Sequence, residues 1–236
     1  MKAILFLLLF SLPLYSSHKV YLIHGYAGLG LEMQKIKNKL DDAGYTAEIF
    51  TYPSLRQDVD TAAVGLCAKI EADSPDTVYF VTHSMGALVA RSVYRHMSPD
   101  KKQLFIHRIV MIAPPNKGTP VADFFVQSKL ARFLGGPNLP NLTTDPEEGA
   151  MSYPIPDAET GIIIGVRGGR NGYNLLLDDD NDGLIIPEDA LLGNEKDLIF
   201  IKATHTGILL KSSTSHYIIS FLNTGIFSGK RLKRRP

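Results

Sequence analysis

The chain of 236 residues carries a single cysteine, Cys67, so no intramolecular disulfide can form and the fold must rest on its core in any compartment. An excess of charge is missing too. The 25 basic and 24 acidic residues leave a net charge of +1, which excludes a whole-chain attraction to nucleic acid. The glycines form neither G-x-G-x-x-G nor a loop ending in Lys-Ser/Thr, so the common phosphate cradles are absent from the sequence. There is no internal repeat, and no apolar run is long enough to span a bilayer comfortably.

What is present is a hydrophobic content of 44% in a length suited to one α/β domain with a full core. Short apolar runs rich in β-branched residues predict strands over Lys19 to Ile23, Thr46 to Thr51, Thr77 to Val81, Arg108 to Ile112, Gly161 to Val166 and Leu198 to Ala203. Amphipathic stretches predict helices over Glu32 to Ala43, Asp58 to Ala72, Ala87 to Met97 and Ser213 to Leu222. Strands buried on both faces appear as continuous apolar runs, and regular interleaving with helices implies parallel crossovers. The expected fold class is therefore α/β, a doubly wound, mostly parallel sheet with its ligand site at the carboxyl ends of the strands. Cys67 is expected as a small core residue on a helix face shared with Val64 and Ala68.

The two ends differ from the middle. Lys2 precedes an apolar stretch from Ala3 to Phe10 that continues to Tyr15 and meets Ser16 and Ser17. Residues 1–17 thus match a signal peptide or an uncleaved N-terminal anchor, and export to the periplasm or beyond is expected. Residues 229–236, with Lys230, Arg231, Lys233, Arg234 and Arg235, look like a solvated basic tail. The single α/β domain is expected over 18–228. Within it, 119–160 is too long for an ordinary connection. It holds one amphipathic helix pattern with Val121, Phe124, Phe125, Leu130, Phe133 and Leu134, followed by a loop rich in Gly and Pro. A cap or lid is expected there, its aromatic and aliphatic side chains lining a pocket.

Thr82-His83-Ser84-Met85-Gly86 lies between a predicted strand and a predicted helix. A serine hydroxyl is a poor nucleophile unless a base reaches it, and a sharp strand-to-helix turn exposes it while a helix N-terminus supplies donors. The turn demands small residues two before and two after the serine. Gly86 meets this demand, whereas Thr82 departs from glycine. Asp182 falls in a loop after the fifth strand and His205 directly after the sixth, so serine, acid and histidine all reach one rim of a parallel sheet. His205 would take the proton of Ser84, and Asp182 would fix the imidazole tautomer. His216 is the alternative base, on the last helix, and His83 is expected to point away from the site. The glycine of His24-Gly25-Tyr26 permits a turn that aims a backbone N–H inward, which makes Tyr26 N–H and Met85 N–H the pair of oxyanion donors. The acidic cluster admits another reading. Asp178, Asp180, Asp182, Gly183 and Asp189 fall at calcium-loop spacing, although Asp replaces Glu at the last position and no helix precedes it.

Together with Ala113-Pro114-Pro115-Asn116-Lys117-Gly118-Thr119, Asp182-Gly183-Leu184-Ile185 and His205-Thr206-Gly207-Ile208-Leu209, these motifs resemble the lipase and esterase branch of the α/β-hydrolases. Small bacterial triacylglycerol-lipase-like proteins, related to the GPI-inositol deacylases, are the nearest likeness, from about Lys19 to Phe227. The resemblance implies an α/β-hydrolase fold with Ser84 as nucleophile, Asp182 as acid, His205 as base and the Tyr26 and Met85 backbones as oxyanion hole. It implies carboxylic ester hydrolysis through an acyl-serine, with no cofactor or catalytic metal. Expected partners are a small acyl ester or lipid and no nucleic acid; a transient contact with a membrane or lipid surface is left open. Acyl transfer or thioester hydrolysis by the same residues is one alternative. A non-catalytic binding protein with a calcium-binding acidic loop is the other.

Overall fold

The computed structural model describes residues 18–97 and 106–232. Segment 1–17, where the signal peptide or anchor is expected, and residues 233–236 of the basic tail lie outside the described residues.

Six strands form one sheet in the order β2-β1-β3-β4-β5-β6, with every neighbouring pair parallel. They are β1 (His18–Ile23), β2 (Thr46–Phe50), β3 (Thr77–His83), β4 (Ile106–Ile112), β5 (Glu159–Val166) and β6 (Asp197–Lys202). The larger helices between them are α1 (Gln34–Asp42), α2 (Val59–Asp73), α3 (Gly86–His96) and, at the end, α7 (Ser212–Thr224). Asp58 caps α2 by accepting from Thr61 N, and α7 stops where Gly225 turns to φ 76°.

Most strand side chains separate into two cores, and Ile162, Ile164 and Val166 of β5 join Ile185 and Ala190 in a smaller third. Val20, Leu22, Tyr79, Val81 and Val110 pack with residues of α1 and α7, while Tyr21, Ile23, Phe80, Ile109 and Met111 pack with residues of α2 and α3. Period-two alternation of side chains thus operates, but both faces are dry and the sequence shows only an unbroken run. Burial of each large apolar side chain contributes about 2 kcal/mol, and Phe80→Ala, at the centre, would cost about 4 kcal/mol. Cys67 is buried, although its companions differ from those expected. The buried stripe of α2 runs through Ala63, Leu66, Cys67 and Ile70, whereas Val64 and Ala68 face solvent. A turn of 100° per residue puts positions i−4 and i+3 beside Cys67 and swings Val64 and Ala68 to the flank.

The chain enters the sheet at β1, steps outward to β2, then returns past β1 to β3 and on to β6. The direction reverses between β1 and β3, and the crevice at such a point is where α/β sheets hold ligands. Between β4 and β5 lie two short helices, α4 (Pro120–Val126) and α5 (Lys129–Gly135), in place of the single helix expected. Ser128 accepts from Ala131 N and so starts a second helix. The excursion closes before residue 160, because β5 begins at Glu159, paired with Arg108. A last short helix, α6 (Pro187–Ala190), follows the loop after β5. The first residues of the basic tail fold back, with Arg231 Nη2 2.6 Å from Asp197 Oδ2 and Nη1 2.9 Å from Oδ1.

Candidate active site

β3 ends at His83, and Ser84 then takes φ 51°, in the left-handed region that a residue with a Cβ adopts at a cost of about 1 to 3 kcal/mol. Two bonds hold it there: Ser84 N donates to Ile112 O on β4 at 2.9 Å, and Ala87 N donates to Ser84 O at 2.9 Å. Helix α3 starts immediately and is buried from Gly86 through Tyr94. A Cβ on Gly86 would stand 2.3 Å from Ile23 O, so only glycine lets the helix start against β1. Thr82 is fully buried opposite Ile23 and Met111, and its Oγ1 finds no hydrogen-bond partner among the described residues.

The loop after β1 passes equally close. A Cβ on Gly25 would lie 2.8 Å from Ser84 Cβ. His24, fully buried, has Nδ1 2.9 Å from Gly25 O and accepts from Tyr52 N at Nε2 at 3.3 Å. These partners assign the Nδ1–H tautomer. Its ring stacks on Tyr52 with centroids 4.4 Å apart. Gly25 O also accepts from Gly28 N at 3.2 Å. The peptide is trans, so the Tyr26 N–H points opposite to that held carbonyl.

Asp182 lies in the loop after β5, its Cβ seated where a Cβ on Gly165 would come within 2.7 Å. Its Oδ1 accepts from Leu184 N and Ile185 N, both at 2.9 Å, and its Oδ2 is 2.8 Å from His205 Nδ1. His205 N donates to Asp182 O at 2.8 Å, which joins the pair a second time. With its proton on Nδ1, His205 keeps the Nε2 lone pair free. Ser84, His205 and Tyr26 line one cavity of about 250 Å³, whose other walls are mostly apolar and include Val121, Phe125, Leu142 and Ile185.

His83 does not point away from the site. It lines the same cavity, is buried, and donates from Nε2 to His205 O at 2.9 Å. Burial, and after it the neighbouring His205, push its pKa down to about 3. His83, on the cavity wall, and His24, which holds the carbonyl before Tyr26, are given no place in the site by sequence reasoning. Their only advance signal was a polar residue at the end of an otherwise apolar strand. His216 sits elsewhere, bonded to Ser228 O on the surface.

Of the apolar residues of the excursion, Val121 and Phe125 reach the cavity, but Phe124 and Phe133 are 74% and 82% exposed and do not line it. The helices are too short to bury a full face. On α3 itself, Arg91 is 2% exposed and donates to Asn116 O at 2.8 Å, Pro154 O at 2.9 Å and Tyr153 O at 2.5 Å. Burial lowers its pKa to about 10. The calcium-loop alternative meets a plain obstacle. Asp180 accepts from Arg167 N and Gly168 N, Asp182 is spent on His205 and two amides, and Asp189 has moved onto α6. Among the described residues no three His, Cys, Asp or Glu side chains converge as a metal site.

In fold the chain resembles known hydrolases. The mature form of the Bacillus licheniformis lipase BlEst2 superposes with a TM-score of 0.67 at 18% identity, over 90% of this chain and 94% of that one. The metagenomic carboxyl esterase MGS0156 gives 0.61 at 17%, over 81% and 65%. The Staphylococcus hyicus lipase gives 0.56 at 14%, over 89% and 94%. The protein thus has the α/β-hydrolase fold of lipases and esterases. Searched by sequence, the curated proteins contain no match. Residues 23–150, more than half of the chain, match the family described as Domain of unknown function (DUF7379), and the chain belongs to that family.

Proposed function

We propose that the protein is a serine hydrolase of carboxylic esters. The observation that carries this reading is the Asp182–His205 bond of 2.8 Å, on a cavity wall shared with a serine held at φ 51°. Asp182 holds His205 with Nε2 unprotonated. Ser84 Oγ attacks the ester carbonyl carbon as that nitrogen takes its proton, and the oxyanion accepts from Tyr26 N–H and Met85 N–H, each worth about 3 kcal/mol. Collapse returns the proton to the departing alkoxide and leaves acyl-Ser84. Water, deprotonated by the same nitrogen, then releases the acid and regenerates the serine.

The substrate class follows from the walls. They are apolar, and about 250 Å³ is below the roughly 300 Å³ at which drug-sized sites begin, so a short acyl group fits best. The solved structures of similar fold include named lipases and a carboxyl esterase, which supports the same chemistry. The α4–α5 hairpin serves as the lid over this cavity in our reading. Export belongs to it too, with 1–17 as leader or anchor; among the described residues no helix is long and apolar enough to cross a membrane.

A fluorophosphonate probe and a series of p-nitrophenyl esters test the proposal. Ser84 should be the labelled residue, and Ser84→Ala should lose both labelling and turnover while keeping its fold. Undiminished turnover in that variant would refute the proposal.

A further inference from the structure

The Tyr26 side chain belongs to a second structure. Its phenol donates to Gly135 O, at the end of α5, at 2.6 Å. The approach is built into the sequence, since a Cβ on Gly135 would stand 2.9 Å from the phenol oxygen. Next to it Gly136 turns to φ 68°, where a Cβ would lie 2.0 Å from Leu55 O. Asn138, fully buried, then donates through Nδ2 to Ser54 O at 2.6 Å and Gln57 O at 2.7 Å. At the other end of the hairpin Thr119 N donates to Leu142 O at 2.9 Å, and Thr119 Oγ1 donates to Leu184 O at 2.5 Å. Between these anchors α5 buries no residue at all. α4 buries Ala122 and its Asp123 accepts from Thr144 N at 2.9 Å and Thr144 Oγ1 at 2.7 Å, so it is the α5 half of the hairpin that is held by end contacts with little packing, the pattern of a segment that opens locally.

We propose that the Tyr26 phenol is a positioning group that couples docking of the α4–α5 hairpin to the aim of its own backbone amide. On one side, His24 Nδ1 and Gly28 N hold the carbonyl of the Gly25–Tyr26 peptide. On the other, Gly135 O holds the ring. With both in place the amide plane cannot rotate, and its N–H stays pointed away from Gly25 O. When the hairpin lifts, the ring is released and the oxyanion donor loosens. The inference rests on the ester-hydrolase reading and adds a specificity to it: esters that fit beneath the docked hairpin are turned over quickly. Esters long enough to prop the hairpin up lose kcat rather than affinity.

The test uses the full chain with Tyr26→Phe, Asn138→Ala and the double variant. Hydrogen exchange over 120–135 reports docking. The rate of Ser84 phosphonylation, with kcat and KM on an acetate ester, reports the donor. Tyr26→Phe should speed exchange over 120–135 and lower kcat about ten-fold with KM changed less than about two-fold. Asn138→Ala, which does not touch Tyr26, should do the same. The double variant should be no worse than the worse single, because both release one coupled element. Wild-type kcat in Tyr26→Phe despite faster exchange would overturn the coupling, and so would additive losses in the double variant. A wild-type protein that is not labelled at Ser84 would instead overturn the hydrolase reading on which the coupling stands.

Discussion

The imidazole of His83 lies against that of His205, ring centroids 4.9 Å apart, and donates to the backbone carbonyl of the same residue. A neutral ring one position before Ser84 therefore pins the main chain of the proposed base. This arrangement has a cost under acid. As pH falls below about 6.5, the unfolded chain takes a proton on this histidine that the folded protein refuses until about 3. Its contribution to stability is full above about 6.5 and declines steadily toward 3. His83→Gln, which keeps a donor but cannot titrate, should lower Tm at pH 7.5 and flatten the fall of Tm between pH 6.5 and 4. An acid fall as steep as that of the wild type would place the titration elsewhere.

Removal of the proposed orienting carboxylate should be costly without unfolding the protein. Asp182→Asn keeps the acceptor at one oxygen but permits the wrong imidazole tautomer, so kcat should drop by about 10⁴. His205→Ala should lose activity by orders of magnitude, and His216→Gln, at a surface site bonded to Ser228 O, should change it less than about two-fold. An essential His216 would reassign the base.

The three phenylalanines of the excursion should divide by location. Phe125 lines the cavity, while Phe124 and Phe133 are exposed. Phe125→Ser should weaken kcat/KM for hexanoate esters more than for acetate esters, since each lost methylene contact is worth about 0.8 kcal/mol. Phe124→Ser and Phe133→Ser should leave Tm and acetate hydrolysis unchanged. Equal losses on both esters for Phe125→Ser would mean that the ring supports the fold rather than the acyl group.

Thr82 offers a stabilising change. Its buried hydroxyl is unpaired among the described residues, and an isosteric methyl removes that burden. Thr82→Val should gain about 1 kcal/mol and raise Tm by about 3 °C, with kcat unaltered. A lower Tm would reveal a partner, such as an ordered water, for that oxygen.

The doubly wound sheet was legible because alternating runs and helices leave few topologies, and each strand lies within a few residues of its expected place. The expected positions of Ser84 directly after β3, Asp182 in the loop after β5 and His205 just after β6 hold as geometry, with Asp182 and His205 in hydrogen-bond contact. What escaped notice depends on contacts across distant segments. His83 is expected to point away because it adjoins Ser84, yet its partner, the carbonyl of His205, is 122 positions away. The apolar pattern of the excursion suggested one helix and a lined pocket. The break at Ser128 and the outward facing of Phe133 follow from capping and from the short helices, neither of which periodicity reports.

Arg91 imposes a rule on how this domain can diversify. Among the described residues its guanidinium donates only to neutral oxygens, those of Asn116, Tyr153 and Pro154, and it lies in α3, which begins two residues after Ser84. The exposed positions of α5 can change, provided Asn138 and Leu142 keep their contacts and the chain still returns the carbonyls of Tyr153 and Pro154 to the same two points. If it does not, a cation is stranded in the core behind the nucleophile, at a cost of several kcal/mol. The excursion after β4 and the helix after Ser84 meet at that one side chain, which makes residues 153 and 154 the natural junction at which to graft a different excursion.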